Sequence, residues 1–255
     1  MKKSNRFITN AKSNNSGVLR DEKITVILLA ENYGYRMKSY GPISLIEFEG
    51  KTLLERQVDA IRSVFLDSEI ILCSGFETNK VYHFVNSKFP SSYNIRIVEN
   101  QVYYHSNCCE GLRLCMNNTT NNKILVCGGG VVLTPRFLKS LNLRKPSIFT
   151  QAGKKEDTFE IGVIPNENDS RLENMSLAIK DNVWTELLYL TGEPLVKSFY
   201  NLISKAELKN KFLFEAINSW KGRRQLSIFE NDSDPIFKID NIKTLKRINN
   251  ENFVP

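Results

Sequence analysis

The sequence contains few of the residues that bind transition metals or form disulfide bridges. Only two of its 255 residues are histidines, His83 and His105, and each is isolated. The five cysteines show no paired C-x-x-C spacing and fall mostly within predicted strands and helices. We interpret them as buried, reduced thiols in preference to metal ligands or a disulfide framework. A metal centre built from histidine and cysteine is not expected.

Long apolar runs are also absent. No apolar segment approaches the roughly 20 residues of a membrane span, and the N-terminal segment MKKSNRFITNAKSNNSG lacks the apolar stretch of a secretory signal. We therefore expect a cytoplasmic protein without a membrane span. Residues 1–22 are rich in Asn, Ser and Lys and are predicted to form a flexible basic arm, whereas residues 23–255 are predicted to form a single domain.

The net charge of +7 is compatible with more than one kind of partner. Aromatic and basic side chains are not interleaved along a stripe, and no nucleic-acid-binding motif occurs, so nucleic-acid binding is not expected. A lysine-rich surface or a site for an anionic nucleotide explains the charge as well.

The pattern of apolar residues predicts an α/β protein. Residues 24–54 follow the order strand, loop, strand and helix, with which a parallel sheet begins. Beyond them, helices are predicted at 52–65, 79–88 and 193–204 and strands at 69–74, 95–99 and 123–134. Short alternating segments at 147–151, 158–165 and 177–181 predict an antiparallel extension beside the parallel sheet.

Residues 29–56 carry several short motifs in a fixed order. A strand is followed by LAENYGYRM, then by PISL and then by GKTLLER. At these positions the chain resembles the GT-A-like nucleotidyltransferases, which include the sugar-nucleotide pyrophosphorylases and the choline-phosphate cytidylyltransferases. The matching letters are Leu29, Ala30, Gly34, Arg36, Met37, Pro42, Leu45, Gly50, Lys51, Leu53, Leu54 and Arg56. The resemblance implies a Rossmann-like sheet of the GT-A type, flanked by helices.

By this resemblance, the loop after the first strand binds the phosphates of a nucleoside triphosphate. The implied nucleotide-binding residues are Leu29, Ala30, Glu31, Asn32, Gly34, Arg36 and Asn107. Two residues of the family pattern are absent from this chain. Asn32 stands in place of a loop glycine, and Ile43 stands in place of a lysine that contacts the phosphates. Asparagine tolerates the left-handed backbone that glycine adopts, but isoleucine supplies no charge. Asn107 is equally well interpreted as a helix N-cap.

The family binds Mg²⁺ through two aspartates, and this chain keeps one of them. The strand KILVCGGGVVLT has Gly130 where relatives have the first aspartate, whereas Asp240 in the closing segment PIFKIDNIK matches the second. The resemblance therefore implies a weakened Mg²⁺ site at Asp240, with Arg36 and Asp240 as catalytic residues.

The half of the chain after residue 147 corresponds to the acceptor side of these enzymes. Trp184, Glu186 and Glu215 are the implied acceptor-binding residues, although an aromatic residue such as Trp184 is also common in a core. The resemblance implies transfer of a nucleotidyl group, with CTP favoured, to a small phosphorylated acceptor with release of pyrophosphate. The losses at Gly130 and Ile43 leave a second hypothesis open, a catalytically inactive relative that serves as a binding or assembly module.

Overall fold

A computed structural model describes residues 23–32, 38–153, 160–177, 179–231 and 236–250. The predicted arm at 1–22 and two predicted site residues, Gly34 and Arg36, lie outside these ranges. Within the described ranges, none of the helices has both the length and the apolar character needed to cross a membrane.

The elements follow the α/β order predicted from the sequence. The strands are β1 (Thr25–Leu29), β2 (Glu47–Phe48), β3 (Lys51–Thr52), β4 (Glu69–Ser74), β5 (Ile95–Glu99), β6 (Lys123–Gly128), β7 (Val131–Val132), β8 (Ser147–Ala152), β9 (Gly162–Pro165), β10 (Leu172–Ser176), β11 (Asn182–Thr191), β12 (Ser227–Glu230) and β13 (Phe237–Lys238). The helices are α1 (Leu53–Val64), α2 (Thr78–Lys88), α3 (Cys108–Met116), α4 (Pro135–Ser140), α5 (Glu193–Ile203), α6 (Leu213–Ser219) and α7 (Ile242–Asn250). Short 3₁₀ turns lie at Lys38–Tyr40, Ile43–Leu45, Ser91–Tyr93, Tyr103–His105, Ala206–Leu208 and Lys221–Gln225.

Four parallel strands form the centre of the sheet. They lie in the order β6-β1-β4-β5, and their carboxyl ends share one edge. β11 pairs antiparallel with β6 and with β8 and continues the sheet toward β9 and β10, while β12 pairs parallel with β8. The fold is therefore an α/β fold whose mostly parallel central sheet carries a mixed extension, as predicted.

Helices cover both faces of the sheet. One apolar cluster includes side chains of α1, α2 and α4, and a second includes side chains of α3, α5 and α6. Strands buried on both faces account for the nearly continuous apolar runs in β1, β4 and β6. The start of α1 is fixed by a capping box, because Thr52 Oγ1 accepts from Glu55 N–H while the Glu55 carboxylate accepts from Thr52 N–H.

Three predicted strands differ from the structure. The second apolar run of residues 24–54 forms a 3₁₀ turn and the small β2–β3 hairpin outside the main sheet, because Glu49 and Gly50 adopt positive φ and turn the chain back. The strand predicted at 123–134 divides into β6 and β7 at a run of glycines. The strand predicted at 177–181 is wrong at the positions described, and the long strand β11 follows directly after it.

The five cysteines are free thiols, as predicted. Cys73, Cys109, Cys115 and Cys127 are buried, and Cys108 is partly buried. Burial raises the pKa of the Cys127 thiol, so that it stays protonated at neutral pH.

Candidate functional site

The carboxyl ends of β1 and β6 form the floor of a cleft of about 460 Å³. Leu29 and Gly128 are paired at the ends of these strands, and Gly129 N–H donates to the Leu29 carbonyl at 2.9 Å. A Cβ at Gly129 would lie 2.4 Å from that carbonyl oxygen. A glycine is therefore needed here, because it lets the two strand ends meet closely enough to form a floor of backbone atoms.

The loop that begins at Ala30 is attached to the neighbouring strand. Ala30 N–H donates to the Cys73 carbonyl at 3.0 Å, and Phe76 N–H donates to the Glu31 carbonyl at 3.0 Å. These bonds hold the loop at the edge of the sheet, so that the exposed residue Asn32 lines the cleft. In open α/β sheets, this edge is where ligands bind.

The segment that contains Asp240 is joined to the same floor. β13 pairs antiparallel with β7, and Ile239 N–H donates to the Gly130 carbonyl at 2.8 Å. Gln151 on β8 exchanges two hydrogen bonds with the backbone of Ile236, at 2.8 and 3.0 Å. Lys238 and Asp240 consequently line the cleft beside Gly130.

Glu186 reaches the cleft from an irregularity in β11. The register between β11 and β8 shifts between Trp184 and Leu188, and Glu186 lies within the shift with a φ of 62°. Its Oε2 would be only 2.2 Å from a Cβ at Gly128, so this glycine leaves the space that the carboxylate occupies. β-Bulges that redirect a side chain are common next to active sites.

Lys238 and Glu186 form an ion pair inside the cleft, through Lys238 Nζ and Glu186 Oε1. Burial lowers the pKa of Lys238, but Glu186 and Asp240 oppose this effect, and the pKa is raised overall. The ammonium is therefore charged at neutral pH. Among the described residues that line the cleft, Lys238, Glu186 and Asp240 carry the formal charges, with a net charge of −1.

Aromatic side chains form the outer walls of the cleft. Tyr103 and Tyr104, in the 3₁₀ turn after β5, line the cleft together with Phe212 and Phe214 at the start of α6. The Phe212 and Phe214 rings are stacked at 6.0 Å and 21°, although Phe212 is 56% exposed. Exposed aromatic faces at a cleft provide a surface on which a flat ring or an apolar ligand group can pack.

A buried acid lies directly beneath the loop. Glu31 is 1% exposed, and neither carboxylate oxygen has a hydrogen bond of ordinary geometry among the described residues. Desolvation by burial raises the pKa of Glu31 to about 7, although its own backbone N–H and the thiol of Cys73 partly oppose the effect. A Cβ at Gly111 would lie 2.5 Å from Glu31 Oε1, so the absence of a side chain on α3 makes room for the acid.

The structure brings six of the predicted site residues together. They are Leu29, Asn32, Asn107, Trp184, Glu186 and Asp240. Asn107 is the N-cap of α3, because its Oδ1 accepts from Cys108 N–H at 2.8 Å, and it also lines the cleft; its contact with a nucleotide stays a prediction. Trp184 lines the cleft but is only 8% exposed, and its contact with an acceptor likewise stays a prediction.

Three predicted site residues lie elsewhere. Ala30 and Glu31 are buried below the surface of the loop and do not line the cleft. Glu215 is also outside the lining, because its carboxylate caps α6 by accepting from Phe212 N–H at 2.8 Å and pairs with Lys211 at 3.0 Å. These two contacts use the Glu215 carboxylate within and beside its own helix.

Lys238 and the phenylalanine wall, which consists of Phe212 and Phe214, were not predicted from the sequence. A signal for Lys238 was present, because this basic residue lies two positions before Asp240 in the segment PIFKIDNIK. Phe212 and Phe214 carried no comparable signal, since they read as ordinary apolar residues at the start of a helix.

The described residues do not form a prepared Mg²⁺ site. In nucleotide sites, Mg²⁺ is usually held by one or two carboxylates together with the phosphates of the substrate. Among the described residues, the cleft offers Glu186 and Asp240, and an ammonium already contacts the first of them. In the same part of the chain, no group of three or more His, Cys, Asp or Glu residues is arranged to hold a metal. An Mg²⁺ ion at Asp240 would have to compete with Lys238.

Comparisons of structure relate this chain to enzymes that handle nucleotides. A CTP:phosphocholine cytidylyltransferase from Streptococcus pneumoniae superposes with a TM-score of 0.75 at 17% identity, covering 91% of this chain and 100% of that one. An inositol-1-phosphate CTP transferase from T. maritima superposes with a TM-score of 0.69 at 17% identity, covering 87% and 91%. A nucleoside-diphosphate-sugar pyrophosphorylase from Vibrio cholerae RC9 reaches 0.69 at 10% identity, covering 89% and 99%.

Comparisons of sequence give a different result. No protein-family model matches the chain, and no curated protein matches it. The likeness therefore lies in the three-dimensional arrangement, which extends over nearly the whole length of the relatives. The chain has the nucleotidyltransferase fold, in a form whose sequence has diverged widely from theirs.

Proposed function

We propose that the chain is a divergent nucleotidyltransferase. It binds a nucleoside triphosphate in the cleft at the carboxyl ends of β1 and β6 and transfers the nucleotidyl group to a small phosphorylated acceptor. The observation that carries this proposal is the convergence of three distant segments on one cleft: Asn32 after β1, Glu186 on β11 and Asp240 after β13. In a fold shared with nucleotidyltransferases, such convergence favours a functional site over a chance cavity.

Each wall of the cleft has a proposed role. The triphosphate binds next to Asn32 at the end of β1, and Arg36, which lies outside the described residues, stays a predicted source of positive charge. The base packs near Asn107 and the tyrosines Tyr103 and Tyr104. The acceptor occupies the side formed by Trp184, Phe212 and Phe214, where the protein can hold its organic part while leaving its phosphate directed toward the nucleotide.

The proposed reaction is an in-line displacement at the α-phosphorus. A phosphate oxygen of the acceptor forms a new bond to that phosphorus, while the bond to the β-phosphate oxygen breaks and pyrophosphate leaves with the electron pair. The protein positions the two substrates and neutralises their charge. Correct positioning alone can lower the activation free energy by on the order of 7 kcal/mol. Among the described residues that line the cleft, Lys238 supplies the positive charge.

CTP is the proposed donor, and an organic phosphate about the size of phosphocholine or inositol phosphate is the proposed acceptor. Support comes from two structural relatives, whose names state that they use CTP with phosphocholine and with inositol 1-phosphate. The phenylalanine wall and Trp184 offer an apolar surface suited to the organic part of such an acceptor.

A second candidate function is a nucleotide-binding module without catalysis. The observations that favour it are the glycine at position 130 and the isoleucine at position 43, which leave the cleft without one carboxylate and one lysine. Nucleotidyl transfer depends on neutralising charge in the transition state. The absence of these two groups therefore lowers the rate of transfer more than the affinity for the nucleotide.

Pyrophosphate release and calorimetry together distinguish the two candidates. CTP, UTP, ATP and GTP would each be incubated with phosphocholine, inositol 1-phosphate or glucose 1-phosphate, and binding of each nucleotide would be titrated separately. The test variant is Asp240→Asn. The matched control is Asp59→Asn, because Asp59 lies on α1 and forms an exposed ion pair with Lys51.

Three outcomes are informative. Pyrophosphate release that falls at least tenfold in Asp240→Asn and persists in Asp59→Asn supports the transferase. Nucleotide binding without pyrophosphate release for any pair supports the binding module. A chain that neither binds a nucleotide nor releases pyrophosphate contradicts both candidates.

A further inference from the structure

We propose that the ammonium of Lys238 is a resident cation of the cleft and takes over the charge neutralisation that a divalent cation would supply between Glu186 and Asp240. This inference rests on the proposed nucleotide site and deepens it, because it predicts that nucleotide binding does not require a divalent cation.

The position of Lys238 is the first support for this inference. Its Nζ contacts Glu186 Oε1 directly, and Asp240 follows two residues later on the same edge of the cleft. Asp240 Oδ1 accepts from Asn241 Nδ2 at 2.6 Å. Among the described residues that line the cleft, Lys238 therefore engages one of the two carboxylates, that of Glu186.

The backbone around Glu186 is the second support. A glutamate with a φ of 62° is uncommon, and residues in such conformations occur often at functional sites. The carboxylate also fills a space that exists only because Gly128 has no Cβ. Two independent features of the fold therefore direct this acid toward Lys238, which is more than an accidental surface ion pair requires.

The close contact between Gly130 and the segment that carries Lys238 is the third support. Gly130 cannot simply be replaced by the missing aspartate, because its Cβ would lie 2.6 Å from the Ile239 carbonyl oxygen and 3.1 Å from Ile43 Cδ1. The place of that carboxylate is thus closed by the backbone of the segment that carries Lys238. The glycine at position 130 and the lysine at position 238 therefore lie at one contact, where β7 pairs with β13.

The chemistry of the ammonium suits this role. An ammonium has three N–H donors, so Lys238 can donate to Glu186 and still donate to a phosphate oxygen. A divalent cation at this place would be repelled by the ammonium and would find one of its two carboxylates engaged. The cleft can therefore neutralise part of a triphosphate's charge with a group that is covalently part of the chain.

Direct binding of Mn²⁺, followed by electron paramagnetic resonance, tests the inference without any nucleotide. Lys238→Met removes the charge and frees the Glu186 carboxylate, and it should bind Mn²⁺ at least tenfold more tightly than the wild type. Lys238→Arg keeps the charge and should behave as the wild type does. Adding Asp240→Asn to Lys238→Met should remove the gain. The matched control is Lys197→Met, at an exposed lysine on α5 that does not line the cleft.

Calorimetry with CTP, in EDTA or in Mg²⁺, tests the consequence for nucleotide binding. The wild type should bind no more than twofold more tightly in Mg²⁺ than in EDTA, whereas Lys238→Met should lose at least tenfold in EDTA and regain affinity in Mg²⁺. Thermal melting of each variant verifies that it is folded, and Lys238→Arg separates loss of charge from loss of structure.

The outcomes distinguish failure of this inference from failure of the proposed function. Wild-type CTP affinity that increases tenfold or more with Mg²⁺ overturns the resident cation and leaves the nucleotide site intact. The inference also fails if the wild type binds Mn²⁺ as tightly as Lys238→Met does. If no nucleotide binds under either condition, the proposed function fails, and the Mn²⁺ titrations still decide whether Lys238 excludes a divalent cation.

Discussion

The buried carboxyl group of Glu31 makes stability depend on pH in a direction that is opposite to that of most acidic residues. In the folded protein, burial raises the pKa of Glu31 from 4.5 to about 7. An unfolded chain releases this proton near the ordinary value, whereas the folded chain keeps it. The contribution of Glu31 to the free energy of unfolding is therefore fully present below pH 4.5 and is lost as the pH rises through about 7.

The size of the effect follows from the two pKa values. Each pH unit between them corresponds to about 1.4 kcal/mol, so the interval from 4.5 to about 7 corresponds to about 3 kcal/mol of stability. Because Glu31 is 1% exposed, solvent screens this effect little. In Glu31→Gln the shape is kept and the titration is removed, so the variant should gain about 3 kcal/mol relative to the wild type between pH 4.5 and about pH 8.

Urea unfolding at a series of pH values measures this difference. The change with pH is the informative quantity, because any constant cost of placing an amide in the site is the same at every pH. Glu47→Gln, at an exposed glutamate on β2, serves as the control and should follow the wild type throughout. Parallel curves for Glu31→Gln and the wild type would refute the assignment of a buried, protonated acid beneath the loop.

Two further predictions concern the glycine run at the floor of the cleft. Gln57 on α1 is buried, and its Nε2 donates to the carbonyls of Gly129 at 3.3 Å and Val131 at 2.8 Å. Gln57→Met should therefore lower the free energy of unfolding, measured in urea, by about 1–3 kcal/mol. A decrease below about 0.5 kcal/mol would contradict this prediction. Gly130→Ala places a Cβ 2.6 Å from the Ile239 carbonyl oxygen, so we expect a loss of about 1–3 kcal/mol together with weaker nucleotide binding in calorimetry. Unchanged stability and affinity in Gly130→Ala would show that β7 and β13 separate easily.

Several elements were predictable because their signals are local. The capping pair Thr52 and Glu55 and the apolar spacing after it determine where α1 begins, and the continuous apolar runs of β1 and β4 predict buried parallel strands. The motif letters from Leu29 to Arg56 also indicated the nucleotidyltransferase fold, which the structural comparisons support.

Other elements could not be assigned from local pattern. Residues 177–181 alternate like a strand, yet the strand begins at Asn182, where β11 finds partners in β6 and β8 that come from distant parts of the chain. A strand exists only where a neighbour supplies the hydrogen bonds, and its position is decided by that pairing more than by its own residues. The same reason explains why the apolar run after Pro42 forms a hairpin outside the main sheet.

The sequence by itself predicted an α/β protein of the nucleotidyltransferase fold, and its resemblance to that family drew attention to Asp240, Gly130 and Ile43. Only the tertiary structure decided that Glu186 and Lys238, which are 52 positions apart, form an ion pair. The contact depends on a bulge in β11, on the missing side chain of Gly128 and on the pairing of β13 with β7. Each of these is a relation between distant segments, and pairwise electrostatic contacts of this kind arise only after the chain has folded.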